Sequence, residues 1–149
     1  CALPICFSRD VYQGVLDSLI DQYSARCPVR LCGDFNVQLP RQAKLERHWY
    51  KRKGFNCHSR ILYDFLMSHD LIVADFMYEQ SQSYTYFCHM SNVYTWIDHF
   101  VVTSHETSDL LDCHIVPPDP DNTSDHLPVS LTLKIAKAMV SGARATGGA

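Results

Sequence analysis

Five polar residues carry side chains suited to chemistry and fall at the ends of apolar runs: Asp34 and Asn36 in "RLCGDFN", Asp98 in "YTWIDHFVVT", and Asp125 with His126 in "TSDHLPV". Asp34 and Asn36 are two apart, so on extended chain they project to one side, and Gly33 before them permits a sharp exit. A carboxylate and an amide at such a mouth can grip a polar ligand, and they equally cap a turn. Asp98 sits among Trp96, Phe100 and Val102, where a carboxylate loses its hydration and needs a charged or hydrogen-bonding partner. Asp125 and His126 are adjacent, so on a strand they point to opposite sides and cannot chelate as one pair. Asp125 suits a hard divalent cation, and His126 suits a substrate-facing imidazole steadied by a carboxylate.

These residues need elements to place them. Ser8 can cap a helix whose apolar face is Val11, Tyr12, Val15, Leu16, Leu19, Ile20 and Tyr23, with Asp17, Asp21 and Gln22 turned outward. Val29 to Cys32 reads as a buried strand feeding Gly33. Ser59 starts a second helix carrying Ile61, Leu62, Phe65 and Leu66, and Leu71 to Ala74 is a short strand after it. Ser83 to Phe87 and Tyr94 to Thr103 are rich in aromatic and β-branched residues and read as two more strands, Asp98 lying mid-strand in the second. A helical turn near Glu106 to Leu111 precedes a strand through Ile115 and Val116. "PPDPDNTSDH" is a loop. Leu127, Val129, Leu131, Leu133 and Ile135 then alternate with polar residues, as on a strand with one buried and one wet face. Helices alternating with strands give an α/β class.

Composition narrows the setting. The chain has 149 residues, 46% of them hydrophobic, enough for the core of one domain. A net charge of −3 argues against a globally basic nucleic-acid binder and leaves room for a local basic patch. No apolar run approaches the roughly 18 residues of a membrane span, so no membrane role is expected. Seven cysteines, an odd number without a CxxC pair, fit free and mostly buried thiols in an intracellular setting, nuclear or cytoplasmic. The opening "CALPICFS" has no initiating methionine and reads as a piece of something longer. The closing "SGARATGGA" reads as a flexible tail, so the domain is expected over 1–136 and the tail over 137–149.

Two further patterns need weighing. "RQAKLERHWYKRK" holds Arg41, Lys44, Arg47, Lys51, Arg52 and Lys53, six of the 13 basic residues, around His48, Trp49 and Tyr50. Lys51, Arg52 and Lys53 can neutralise phosphates and Trp49 can stack on a base, which makes a DNA contact. The same pattern also describes a solvated helical face. Three Cys-His dipeptides, at Cys57, Cys88 and Cys113, invite a zinc site, but their spacing fits none and chance explains them.

Taken in order, "LCGDFNV", "YTWIDHFVVTS" and "SDHLPVSL" resemble the endonuclease/exonuclease/phosphatase superfamily, which includes abasic-site endonucleases. More narrowly they resemble the endonuclease domain of non-LTR retrotransposons. The resemblance covers nearly the whole chain up to Ile135. It implies part of a four-layer α/β sandwich, two packed β-sheets flanked by helices, and Mg²⁺- or Mn²⁺-dependent phosphodiester hydrolysis of DNA. By that resemblance Asp34 orients the attacking water, Asn36 steadies the phosphate oxygens, Asp98 pairs with the catalytic His126, and Asp125 binds the metal ion. Asp34 and Asn36 are also placed on a second metal.

The family pattern also places an asparagine, a metal-binding glutamate and a catalytic tyrosine upstream of the GDFN block. Only 33 residues precede Asp34, and their acids are Asp10, Asp17 and Asp21. The chain therefore resembles the C-terminal half of such a domain, with an N-terminal half or a fused reverse transcriptase as possible partners. Little or no hydrolysis is expected from it alone, and an apolar sheet face is expected to lie open. Two other readings share these blocks: a phosphatase or phosphodiesterase of the same superfamily acting on inositol lipids, and a non-catalytic fragment.

Overall fold

The computed structural model describes residues 11–24, 27–39 and 57–134. The basic stretch around Trp49, Lys51, Arg52 and Lys53, the Ser8 cap and the expected tail lie outside the described residues. Seven strands occur among them: β1 (Arg30–Asp34), β2 (Leu71–Val73), β3 (Tyr86–Cys88), β4 (Val93–Thr95), β5 (Asp98–Thr103), β6 (Leu110–Ile115) and β7 (Val129–Leu133). Two α-helices join them, α1 (Asp17–Ser24) and α2 (Cys57–Ser68).

The main sheet runs β1-β5-β2, with both pairings antiparallel. Alternation along β5 divides its side chains between two cores. Val101 packs with Leu71, Leu62, Phe65, Leu66 and Ile20 on the helix side. Val102 packs on the other side with Ala74, Leu110 and Cys113, against the antiparallel β6–β7 pair. The order is helices, sheet, second sheet, an α/β architecture as expected. Three of the four expected layers are present among the described residues. Each core leucine taken from water stabilises this arrangement by about 1.5–3 kcal/mol.

Several local expectations need correction. A π-helical turn, Val11–Leu16, leads into α1, and of α1 only Ile20 is buried. Val15, Leu19 and Tyr23 are exposed, so the expected apolar face is covered over only part of its width. Asp17 is not simply solvated: His69 Nε2 lies 2.6 Å from its Oδ1 and fastens α1 to the end of α2. Helix α2 begins at Cys57, two residues before Ser59, whose hydroxyl donates to the Gln38 carbonyl. Strand β2 ends at Val73, because Ala74 opens a 3₁₀ turn, and the later helical turn spans Ser104–Asp109.

Strand β1 is not buried. It lies at the edge of its sheet, only Leu31 is half-covered, and the core residues of this segment are Phe35, Val37 and Leu39 beyond it. The cysteines differ too. Cys27, Cys32 and Cys57 are exposed and Cys113 is buried, all of them free thiols.

The largest departure is at Tyr94 to Thr103. This run is two strands, because the chain changes partners at Trp96 and Ile97. Val93–Thr95 closes a hairpin with Tyr86–Cys88, whereas Asp98–Thr103 joins the main sheet. Asp98 is therefore the first residue of its strand, and Trp96 is buried beside Ile115 and Leu127.

Candidate functional site

Gly33, at φ 139°, is in a region that side chains rarely adopt, and Asn36 is left-handed at φ 51°. Between them the Asn36 backbone N–H donates to Asp34 Oδ1 at 2.7 Å, closing a side-chain turn. Capping the turn leaves Asp34 and Asn36 both exposed.

Strand register brings Asp34 opposite Asp98. The Phe35 N–H donates to the Ile97 carbonyl at 2.9 Å, which makes the next pair, Asp34 and Asp98, a non-hydrogen-bonded one. Side chains of such pairs approach most closely, and two like charges there repel. His126 answers part of this charge. Its Nδ1 lies 3.0 Å and 3.2 Å from the two Asp98 oxygens, so Nδ1 carries the proton and Nε2 is left for a ligand. The His126 side chain is about one-third exposed and that of Asp98 about one-sixth.

What holds this pair is a set of residues outside the three motifs. Thr85 is fully buried, and its hydroxyl accepts from the Ile97 and Asp98 N–H groups, both at 3.0 Å. Its carbonyl accepts from Leu127 N–H at 2.7 Å, so one residue fixes both the Asp98 end and the His126 end. From the loop side, Asn122 Nδ2 donates to the His126 carbonyl, and the Ser124 hydroxyl accepts from the His126 N–H. Behind Asp98, on the opposite face of β5, buried His99 donates through Nδ1 to Asp75 at 2.8 Å, and Asp75 also accepts the Phe100 N–H. The signal for Thr85 in the sequence was faint, a threonine just before an aromatic strand. Asp75 sits in a stretch with no periodicity to mark it.

A cleft of about 380 Å³ opens beside the pair, lined by Cys32, Gly33, Asp98, Phe100, Asn122 and His126 among others. Phe100, half-buried, and exposed Cys32 border it. Asp125 is exposed next to His126 and its carbonyl accepts the Phe87 N–H. Facing them is Tyr86, whose hydroxyl bonds to the Cys88 sulfur. That bond, with the neighbouring charges of Asp125 and Asp34, raises the Tyr86 pKa above its usual 10.0. Hydrogen bonds from Ser91, first its hydroxyl and then its backbone, lower that of Cys88.

Among the described residues no group of three His, Cys, Asp or Glu side chains converges. Asp34, Asn36 and Asp125 carry hard oxygen atoms of the kind Mg²⁺ takes in small number beside its own waters.

No family model matches the sequence, and no curated protein does either. Solved structures do. The 3' phosphatase NExo from Neisseria, bound to a product DNA hairpin, superposes with a TM-score of 0.63 at 16% identity, over 83% of this chain and 52% of that one. The 3'-5' exonuclease NExo from Neisseria meningitidis gives a TM-score of 0.59 at 18% identity, over the same shares. The chain has the AP endonuclease/exonuclease-type fold. The AP endonuclease LMAP from Leishmania major agrees, with a TM-score of 0.52 at 20% identity over 72% of this chain and 35% of that one. The chain thus spans about half the length of the Neisseria proteins and about a third of the Leishmania one. At these identities the likeness is one of fold, and it agrees with the superfamily resemblance of the three sequence blocks.

Proposed function

We propose that this chain carries the phosphate-binding half of a DNA phosphodiesterase site, from an endonuclease domain of retroelement type. The observation that supports the reading most is the Asp98–His126 pair facing Asp34 across one strand register, on a fold shared with DNA nucleases and a 3' phosphatase. In this reading the imidazole takes up a second proton at Nε2 as the phosphate arrives, and that N–H neutralises charge on a phosphate oxygen. Asp98 holds the Nδ1–H and with it the ring's orientation. The free oxygen of Asp34 accepts a proton of the attacking water, and Asn36 donates its amide to a second phosphate oxygen. The β3–β4 hairpin adds exposed Tyr94 stacked on Phe87 at 4.4 Å, a surface on which an unpaired base can lie.

A second element of the proposal, supported by the lack of a three-residue ligand cluster among the described residues, is that alone the chain binds DNA without cleaving it. A metal ligand from an N-terminal half would complete the site, and a fused reverse transcriptase would be its partner in a nuclear or cytoplasmic retroelement protein. Two assays on the chain separate the possibilities. A fluorescent DNA duplex should bind, and supercoiled plasmid with Mg²⁺ or Mn²⁺ should not be nicked above background. Robust nicking that His126→Ala abolishes would uphold the hydrolase and refute the inactivity. Absence of DNA binding, with binding of an inositol phosphate instead, would move the substrate to lipids.

A further inference from the structure

Tyr86 belongs to none of the three motifs, yet the fold aims it at their centre. Flanking hydrogen bonds, Leu127 N–H to the Thr85 carbonyl at 2.7 Å and Phe87 N–H to the Asp125 carbonyl at 2.9 Å, set Tyr86 directly opposite His126. The pair between two such bonds is the non-hydrogen-bonded kind, in which side chains leave the sheet together and lie closest. Accordingly the phenol ring lies against the imidazole, with centroids 4.8 Å apart and planes inclined at 43°. The charges of Asp125 and Asp34 both act on the phenol hydroxyl.

We propose that Tyr86 is a substrate-contacting residue of this site, its hydroxyl donating a hydrogen bond to a phosphate oxygen held at His126. The inference rests on the phosphodiester reading above and adds one donor to it. Two facts set the direction of that bond. The hydroxyl stays protonated throughout the physiological range, because the Cys88 bond and the neighbouring carboxylates disfavour the phenolate. Its present acceptor is a sulfur, which is weak, so an anionic phosphate oxygen takes its place. Three carboxylates stand around His126: Asp98 bonded to it, Asp34 opposite Asp98, and Asp125 next in sequence, so an anionic ligand there needs donors. Tyr86 joins the His126 imidazole and the Asn36 amide in supplying them.

The test is a titration of the isotope-labelled chain with a dinucleoside monophosphate, in the presence of Mg²⁺, followed by NMR at the His126 imidazole and the Tyr86 ring. Tyr86→Phe keeps the ring on the imidazole and deletes the hydroxyl alone. It should weaken binding by about tenfold, the usual effect of one hydrogen bond to a charged ligand. Tyr84→Phe, on a ring that packs against Tyr94 instead, should bind as the unmutated chain does. Equal affinity for Tyr86→Phe and the unmutated chain, with His126 still responding, overturns the Tyr86 inference and leaves the phosphodiester reading standing. A His126 signal that no phosphodiester moves overturns both. In the unmutated chain, Tyr86 ring signals that stay fixed while His126 shifts also overturn it, whatever the variant does.

Discussion

Thr85 puts one hydroxyl under two backbone N–H groups at the point where the chain leaves the hairpin for the main sheet. Thr85→Val keeps the shape and strands both donors inside the protein, at a cost of about 1–3 kcal/mol in denaturant unfolding. Because Asp98 is the second of those residues, the same variant should loosen the Asp98–His126 contact, whereas Thr85→Ser should retain both. A second residue-scale test concerns pH. Burial, with Asp75 and Asp112 nearby, pushes the Cys113 thiol from 9.0 up to about 12. In the unfolded chain that thiol ionises near 9.0 and in the folded chain it does not, so below that pH it adds no dependence. Stability should then fall as pH climbs through 9 toward 12, by up to about 4 kcal/mol from this group. The alkaline slope of Cys113→Val should be correspondingly flatter. At this scale the sequence was informative where residue type and chemistry coincide, as for Asp34, Asp98 and His126. It was faint on Thr85 and silent on Tyr86, whose places beside Asp98 and His126 come from a backbone register that no local pattern encodes.

At the scale of elements, a buried glutamine ties three pieces together. Gln80 donates through Nε2 to the Asp75 and Cys113 carbonyls, at 2.8 Å and 2.7 Å, and its Oε1 accepts the Ile115 N–H at 2.8 Å. These bonds fasten the 3₁₀ turn after β2 to strand β6. Gln80→Leu fills the space and leaves those backbone groups unpaired, so unfolding should cost about 2–4 kcal/mol less, with β6 amides exchanging fastest. Strands and helices were mostly readable from periodicity, as α2 and β7 illustrate. Tyr94 to Thr103 failed for a physical reason: its composition is strand-like throughout, and the switch at Trp96 and Ile97 depends on Thr85 and Phe35, residues distant in sequence. Strand β1 failed differently. Val29, Leu31 and Cys32 looked like part of a core strand, but among the described residues this strand lies at the edge of its sheet and is mostly exposed.

For the molecule as a whole, charge decides how DNA would arrive. The described site is rich in carboxylates, and an anionic backbone approaching Asp34, Asp98 and Asp125 needs compensation from elsewhere. The cluster Lys51, Arg52 and Lys53, 17–19 residues past Asp34, is the densest run of positive charge in the sequence. Replacing all three with glutamine should weaken DNA binding and lower the slope of log affinity against log salt by about 3, one for each phosphate that then keeps its counterions. An unchanged slope would make the stretch a solvated face with no part in binding.

The proposed chemistry depends on His126 being held by Asp98 with its other nitrogen free for a phosphate oxygen. Long-range ¹H–¹⁵N NMR of the imidazole reads this directly, with and without a dinucleoside monophosphate. The expected result is a proton fixed on Nδ1, lost to tautomer exchange in Asp98→Asn, and a ligand-dependent shift confined to Nε2. A ring protonated on Nε2 alone, indifferent both to Asp98→Asn and to the ligand, would contradict it.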